Sequence, residues 1–244
     1  MAWPAAVALL ALVVACGGRG ATPAPAAAPP PSSQAARAAG GAAGAGGLTP
    51  ATDARLRIVI LGDSLTAGLG LPSLDLAYPA QLQQLVSAAG YHYEVVNAGV
   101  SGDTTAGGLS RLDWVLEGHV RILVVALGGN DGLRGIPVSD MEHNLAAIIQ
   151  TAQQRGIQVL LAGMEAPPNY GPVYTRQFHQ AFRDLARRYH VAFLPFLLQG
   201  VAGIARLNQA DGIHPTAQGA QMVADNVWQV LKPLLAREQR AGVR

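Results

Sequence analysis

Three residues from opposite ends of the chain could together perform acyl transfer. Ser64 is the serine of a Gly-Asp-Ser-Leu motif (62–65), and His214 follows Asp211 by three positions. A serine hydroxyl becomes an effective nucleophile only when a neighbouring base takes its proton. In an Asp-x-x-His loop, the carboxylate can reach the ring nitrogen that faces away from the serine and fix the tautomer. These residue types and this spacing predict a Ser64–His214–Asp211 triad.

Two loops between the serine and the histidine could supply hydrogen-bond donors. Gly102 lies in a Ser-Gly-Asp-Thr segment (101–104), and Asn130 lies in a Gly-Gly-Asn-Asp segment (128–131). Acyl transfer passes through a tetrahedral intermediate whose oxyanion needs donors, each worth roughly 3–4 kcal/mol. We expect the oxyanion hole to combine the backbone N–H groups of Ser64 and Gly102 with the side-chain amide of Asn130.

The elements that must position these residues alternate between strands and helices. Short apolar runs predict five strands, at 56–60, 93–97, 121–127, 157–161 and 191–194. Helical periodicity and end signals predict helices over 79–89, from about 109 to 118, over 139–155, over 174–189 and after Thr216. Such alternation predicts a parallel sheet with helices on both faces, a three-layer α/β/α sandwich.

Ligands bind beyond the carboxyl ends of the strands in sheets of this kind. The loops that hold Ser64, Gly102 and Asn130 each follow a predicted strand. All three loops should therefore meet at one edge of the sheet. The Asp211 loop can reach the same edge through the irregular segment after the fifth strand.

Four sequence blocks resemble those of the SGNH (GDSL) hydrolase family, and within it the bacterial arylesterase, acyl-CoA thioesterase I and lysophospholipase L1 type. The blocks are 62–65, 101–104, 128–135 and 211–215, and an Asn-Tyr-Gly segment at 169–171 resembles a substrate-side loop of that subgroup. The resemblance covers about 56–235. It implies a flavodoxin-like fold with a five-stranded parallel sheet.

The resemblance also implies a role for each site residue. By this resemblance Ser64 is the nucleophile, and Asp211 with His214 completes the triad. Gly102 and Asn130 help to form the oxyanion hole. The expected reaction is hydrolysis of carboxylic esters or thioesters with short to medium acyl chains through an acyl-enzyme. Lysophospholipids are among the candidate substrates.

Two loops, at 132–137 and 166–171, are expected to flank the acyl side of the site. Their apolar residues could line a groove for an acyl chain or could be ordinary loop residues: Leu133, Ile136, Pro167, Pro168 and Tyr170. Two other functions stay open from the sequence. One is a carbohydrate or peptidoglycan O-acetylesterase, and the other is a lipid-anchored surface protein that keeps the fold without turnover.

Other protein classes find little support in the sequence. The formal net charge is only +2, the arginines are scattered, and no aromatic–basic stripe favours nucleic-acid binding. The sequence has no P-loop motif and no dinucleotide-binding glycine fingerprint. The histidines, the cysteine and the carboxylates do not show metal-ligand spacing. We therefore expect no cofactor, no metal and no nucleic-acid partner, and a small acyl ester as substrate.

The N-terminal region has a different composition from the rest. Residues 1–15 form an apolar run that is typical of a signal peptide and shorter than the roughly 20 residues of a membrane span. The run ends in Val-Val-Ala-Cys, which resembles a bacterial lipobox and predicts lipid attachment to Cys16, the only cysteine. An ordinary signal peptide with an incidental cysteine is the alternative.

The remaining boundaries follow from composition. The Ala/Gly/Pro-rich stretch 16–55 lacks large apolar residues and predicts a disordered tether. Residues 56–238 have a globular composition and form the predicted hydrolase domain, followed by a C-terminal tail at 239–244. These features predict an exported protein of the periplasm or cell envelope, anchored to a membrane by lipid at Cys16.

Overall fold

The computed structural model describes residues 55–242 of the 244-residue chain. The predicted signal peptide, Cys16 and all but the last residue of the predicted tether lie outside the described residues. Among the helices of 55–242, none is both long enough and apolar enough to cross a membrane.

In the described part of the chain, five parallel strands form one sheet. They are β1 (Leu56–Gly62), β2 (Tyr93–Gly99), β3 (Val120–Ala126), β4 (Gln158–Ala162) and β5 (Ala192–Leu194). Their order across the sheet is β2-β1-β3-β4-β5, with every neighbouring pair parallel. This arrangement confirms the predicted five-stranded parallel sheet.

Within residues 55–242, eight α-helices connect and follow the strands. They are α1 (Ser64–Ala67), α2 (Tyr78–Ala88), α3 (Thr105–Ser110), α4 (Leu112–Val115), α5 (Gly129–Arg134), α6 (Val138–Gln154), α7 (Gly171–Tyr189) and α8 (Ala217–Gly242). The longer helices pack in two groups, α2 with α8 and α6 with α3 and α7. Two groups are expected when a parallel sheet is covered on both faces, and they make the domain a three-layer α/β/α sandwich.

The core lies between the sheet and the two helix layers. The central strand β3 is apolar along nearly its whole length and is buried from Ile122 to Ala126, as expected for a parallel strand covered on both faces. Helix α6 buries one stripe at helical spacing, made of Met141, Leu145, Ile148, Ile149 and Ala152. These contacts fix the strands whose ends carry the site.

Two local predictions were wrong. The helix expected from about 109 to 118 begins earlier and is interrupted at Arg111, whose side chain turns to hold Asp103 and the carbonyl of Gly62. The Ser-Asp-Met-Glu segment at 139–142 matches the pattern of a capping box, but this box does not form. Helix α6 begins at Val138, and the Ser139 hydroxyl donates to its neighbour Asp140 instead.

The carboxyl ends of β1, β2 and β3 lie side by side. Gly62 pairs with Gly99 of β2 on one side and with Ala126 of β3 on the other. The three loops that follow these strands therefore begin at one level of the sheet. This register brings the predicted serine, glycine and asparagine loops to a common edge.

Candidate active site

Ser64 is presented by a sharp turn from strand to helix. Asp63 caps helix α1, because its Oδ1 accepts the N–H of Leu65 at 3.0 Å. Gly62 has to be glycine, since a Cβ at this position would lie 1.9 Å from Thr66 Oγ1. The turn leaves the Ser64 hydroxyl at the edge of the sheet and its N–H at the start of a helix.

The structure brings Ser64, His214 and Asp211 together across 150 residues of chain. Ser64 Oγ lies 2.8 Å from His214 Nε2, and His214 Nδ1 lies 2.6 Å from Asp211 Oδ2. The loop is closed by the Gln209 N–H, which donates to the His214 carbonyl at 2.7 Å. With this geometry the histidine can take the serine proton on one nitrogen while the other faces a carboxylate.

Asp211 is held in its charged form. Hydrogen bonds from the His214 backbone and ring and from the Ile213 N–H lower the pKa of Asp211 to about 2. The carboxylate is therefore ionised at neutral pH, although its side chain is 46% exposed. A charged Asp211 accepts the Nδ1 proton, so Nε2 is left to accept from Ser64.

Gly102 lies at a turn after β2, beside the serine loop. The Val100 N–H donates to the Gly62 carbonyl at 3.0 Å, and Gly102 has a φ of 85°, which favours glycine. The guanidinium of Arg134 donates to the Gly102 carbonyl at 2.9 Å. Within residues 55–242, the N–H groups of Ser64 and Gly102 donate to no other group of the chain, so both are available to a ligand.

The side-chain amide of Asn130, which follows β3 at the same edge of the sheet, already makes two hydrogen bonds. Its Nδ2 donates to the carbonyl of Asp103 at 2.9 Å and to Asp63 Oδ2 at 3.3 Å. These two bonds use both amide protons. An oxyanion could receive one of them in place of the longer bond.

The carboxyl of Asp63 is buried beneath the serine turn. Its residue is only 3% exposed, and this burial raises the pKa of Asp63 to about 6, against hydrogen bonding from Leu65 and the nearby His214, which lower it. Neither contact of Asp63, with α1 or with Asn130, could be assigned from the motif alone. The sequence signal was only a carboxylate next to the serine.

Two further carboxylates brace the loops. Asp103 pairs with Arg111 at 2.7 Å, and the same guanidinium donates to the Gly62 carbonyl at 3.0 Å, so the Gly102 loop is tied to the end of β1. Asp131 is buried and accepts the N–H and the hydroxyl of Thr105 at 2.9 and 2.6 Å. Both contacts connect a site loop to an adjoining element.

A groove of about 540 Å³ runs beside Ser64 and His214. The structure places three of the predicted apolar residues in its wall, namely Leu133, Pro167 and Pro168. Four further apolar residues of the wall come from segments that the sequence motifs do not include: Met164, Phe196, Leu198 and Ala202. The irregular apolar segment after β5 was the only signal for several of them.

Ile136 and Tyr170 do not line the groove, which corrects their predicted placement. The Tyr170 ring covers Gly135, where a Cβ would lie 2.5 Å from it, and its hydroxyl donates to the Leu133 carbonyl at 3.1 Å. The Ile136 carbonyl accepts the hydroxyl of Tyr174 at 2.8 Å. Tyr170 therefore packs on the loop that carries Leu133, and the Ile136 carbonyl ties the end of that loop to Tyr174.

No group of three or more His, Cys, Asp or Glu side chains is arranged to hold a metal ion within the described part of the chain. The contacts above account for Asp63, Asn130, Asp211 and His214. Their arrangement fits nucleophilic attack by serine with general-base assistance.

Comparison with known proteins identifies the family. The model of the GDSL-like lipase/acylhydrolase family matches residues 60–222. The chain belongs to this family. It is also 45% identical over 179 residues to esterase TesA of Pseudomonas aeruginosa, a match that covers 73% of this chain and 89% of that protein. The family and its relatives show that the chain is a GDSL-type ester hydrolase.

Two further similarities agree with this assignment. Over 179 residues the chain is 38% identical to thioesterase 1/protease 1/lysophospholipase L1 of Escherichia coli, covering 73% of this chain and 84% of that one. The crystal structure of TesA superposes with a TM-score of 0.70 at 44% identity, covering 74% of this chain and 99% of that chain. The predicted family and fold class are therefore confirmed.

Proposed function

We propose that this GDSL hydrolase uses Ser64, His214 and Asp211 to cleave carboxylic esters and thioesters through an acyl-enzyme. The observation that carries the proposal is the 2.8 Å contact between Ser64 Oγ and His214 Nε2, with Asp211 2.6 Å behind the ring. Ser64 Oγ attacks the carbonyl carbon while His214 Nε2 takes its proton. The intermediate then collapses, and the departing alcohol or thiol receives that proton.

The second half of the reaction returns the enzyme to its starting state. His214 takes a proton from water, and the resulting hydroxide attacks the acyl-serine carbonyl. Collapse of this second intermediate breaks the serine ester bond, and Ser64 Oγ recovers its proton from His214. The carboxylic acid leaves, so one water is consumed for each ester bond.

The developing oxyanion is stabilised by the backbone N–H groups of Ser64 and Gly102. Their availability in the described chain supports this role. We assign the third donor to Asn130, whose amide turns from the 3.3 Å contact with Asp63 toward the oxyanion. Preorganised donors of this kind are typically worth 10²–10³ each in rate.

The preferred substrates carry a short to medium acyl chain, and lysophospholipids fall within this class. Leu133 and Pro168 contact the chain in the groove. A volume of about 540 Å³ with a largely apolar wall exceeds what an acetyl group needs, which favours longer acyl groups over O-acetyl substrates. The names of the relatives, esterase, arylesterase and thioesterase/lysophospholipase, describe the same range of chemistry.

A chain-length series tests both the reaction and the acyl preference. Hydrolysis of p-nitrophenyl acetate, butyrate and octanoate is measured with the wild type and with Ser64→Ala. We expect kcat/KM to be higher for butyrate or octanoate than for acetate, and to fall to background with Ser64→Ala. Wild-type turnover no faster than that of the variant would refute the mechanism. Activity confined to acetate would instead identify a deacetylase.

We also propose export and a lipid anchor at Cys16, which lies outside the described residues. The lipobox-like Val-Val-Ala-Cys sequence and the Ala/Gly/Pro-rich segment that follows support this proposal. Metabolic labelling with a palmitate analogue should mark the full-length protein in the membrane fraction and should be lost in Cys16→Ala. Equal labelling of both proteins would contradict the anchor.

A further inference from the structure

The groove beside Ser64 carries ionisable groups of one predominant sign. Its ionisable lining residues are Asp63, Glu165 and His214, and no lysine or arginine is among the described residues that line it. Asp63 is buried under the serine turn, and His214 belongs to the triad. Glu165 is therefore the one charged wall residue that the mechanism leaves without a role.

Glu165 is held in place by its neighbours while its carboxylate faces solvent. It follows β4 at the carboxyl edge of the sheet, between the buried residues Met164 and Ala166. Its side chain is 54% exposed. The backbone is thus fixed by packing on both sides, and the charge is presented at the groove and not within the core.

Nearby cations do not neutralise this carboxylate. Its one ion-pair contact among the described residues is with His179, whose Nδ1 lies 3.9 Å from Glu165 Oε1. The Arg183 Nε–H donates to His179 Nε2 at 3.0 Å, so that nitrogen is an acceptor and the ring proton lies on Nδ1, facing Glu165. At 3.9 Å this N–H is too far away for a hydrogen bond, and a neutral imidazole does not cancel the charge of the carboxylate.

The other charged groups around the site do not reverse this sign. Arg176 borders an outer groove together with Glu165 but does not line the groove beside Ser64. Arg134 is engaged at the carbonyl of Gly102, also outside the lining. Asp211 adds a second negative charge behind His214.

We propose that Glu165 selects substrates by charge, favouring neutral and cationic esters over anionic ones. The inference rests on the proposed function and adds the substrate class to it. A carboxylate in the groove wall attracts a cationic group and repels an anionic one, and a partly exposed pair changes an equilibrium by up to about fivefold. Esters of anionic alcohols or thiols and acyl chains that end in a carboxylate should be poor substrates.

Two substrate sets of matched shape test the charge preference. The first set is p-nitrophenyl esters of one chain length whose acyl group ends in trimethylammonium, tert-butyl or carboxylate. The second set places the charge on the alcohol, as butyrylcholine against its neutral isostere 3,3-dimethylbutyl butyrate. The kcat/KM of each charged ester is divided by that of its neutral partner, which removes any change in the general activity of a variant.

The variants are Glu165→Gln, which removes the charge, and Glu165→Lys, which reverses it. In the first set we expect the cation-to-anion ratio to fall about tenfold in Glu165→Gln and about a hundredfold in Glu165→Lys, because both substrates respond. High salt should shrink the wild-type preference, since exposed charges are screened. Glu117→Gln, an exposed carboxylate after α4, is the matched control and should leave every ratio unchanged.

A change of more than threefold in either substrate set supports the inference and shows on which side of the ester the charge acts. A smaller change in both sets overturns it. Failure of the proposed function would look different, because the neutral esters would then be turned over no faster by the wild type than by Ser64→Ala. Turnover of the neutral esters also shows that each variant is folded.

Discussion

Two aspartates lie on opposite sides of the serine–histidine contact, in contrasting surroundings. Asp63, next to Ser64, is buried, and burial raises its pKa to about 6. Asp211, three residues before His214, is substantially exposed, and the hydrogen bonds that it accepts from His214 and Ile213 lower its pKa to about 2. One residue type therefore has two pKa values that lie on opposite sides of the ordinary value.

The contrast explains why each aspartate suits a different task. In the proposed mechanism Asp211 has to remain charged, so that it can hold the His214 ring and stabilise the imidazolium that forms during the reaction. Asp63 accepts hydrogen bonds from the first turn of α1 and from the amide of Asn130, so it positions two groups of the site. Its charge is accommodated at a cost in desolvation.

The largest effect should come from Asp211. In Asp211→Asn the side chain no longer fixes the His214 tautomer, so we expect kcat for p-nitrophenyl butyrate to fall about 10³–10⁴-fold. The melting temperature should change little, because the side chain is exposed. Asp184→Asn is the matched control, since Asp184 is another exposed aspartate with a lowered pKa, caused by hydrogen bonding to Arg187 on α7. A loss of activity below tenfold in Asp211→Asn would contradict the role of the carboxylate.

The second-largest expected effect is on the free energy of unfolding and comes from Asp63. Its folded-state pKa of about 6 exceeds the ordinary 3.8, so the folded protein keeps this proton to a higher pH than the unfolded chain. The stability contribution of the group is therefore fully present below pH 3.8 and is lost as the pH rises through about 6. A pKa difference of this size corresponds to about 3 kcal/mol.

Urea unfolding of the wild type and Asp63→Asn at pH 4 and pH 7 measures this contribution. The wild type should lose about 2 kcal/mol relative to Asp63→Asn between the two pH values, because part of the contribution is already lost at pH 4. Asp113→Asn, at an exposed position, should show no such difference. Parallel pH profiles for the wild type and Asp63→Asn would mean that the burial of Asp63 does not shift its pKa.

A smaller effect should appear in the kinetics of Asp63→Asn. The new amide would place a donor against the Nδ2 donor of Asn130, so Asn130 should turn away from its present position. We expect kcat to fall about tenfold with little change in KM, since an oxyanion-hole donor acts in the transition state and complete loss of one costs about 10²–10³. A rise in KM at unchanged kcat would instead place Asp63 in ground-state binding.

The same two aspartates differ in how much of their role the sequence predicts. Asp211 and His214 lie three residues apart, so their relationship follows from local spacing and could be predicted. The two contacts that explain Asp63, with Leu65 and with Asn130, depend on how loops from different strands pack together. The motif places a carboxylate next to Ser64 but does not reveal which groups it holds.

The fold and the groove also contain some features that the sequence predicts and others that it does not. The five strands could be predicted because continuous apolar runs bounded by glycine and polar loops are characteristic of buried parallel strands. The break in the helix at Arg111 could not be predicted, because it arises from contacts with Asp103 and Gly62. Local helical periodicity does not reveal such contacts. Tyr170 was expected to line the groove, but its ring covers Gly135. This placement could not be predicted, because a loop sequence does not reveal which way a ring faces.

The central claim is that Ser64 is the nucleophile activated by His214. A fluorophosphonate reacts covalently with an activated serine hydroxyl, so intact-protein and peptide mass spectrometry can measure both the stoichiometry and the position of the label. One label per chain is expected, on the peptide that contains Ser64. It should be absent in Ser64→Ala and should form at least a hundredfold more slowly in His214→Ala. Labelling of Ser64→Ala at the wild-type rate, or a label on another residue, would contradict the account.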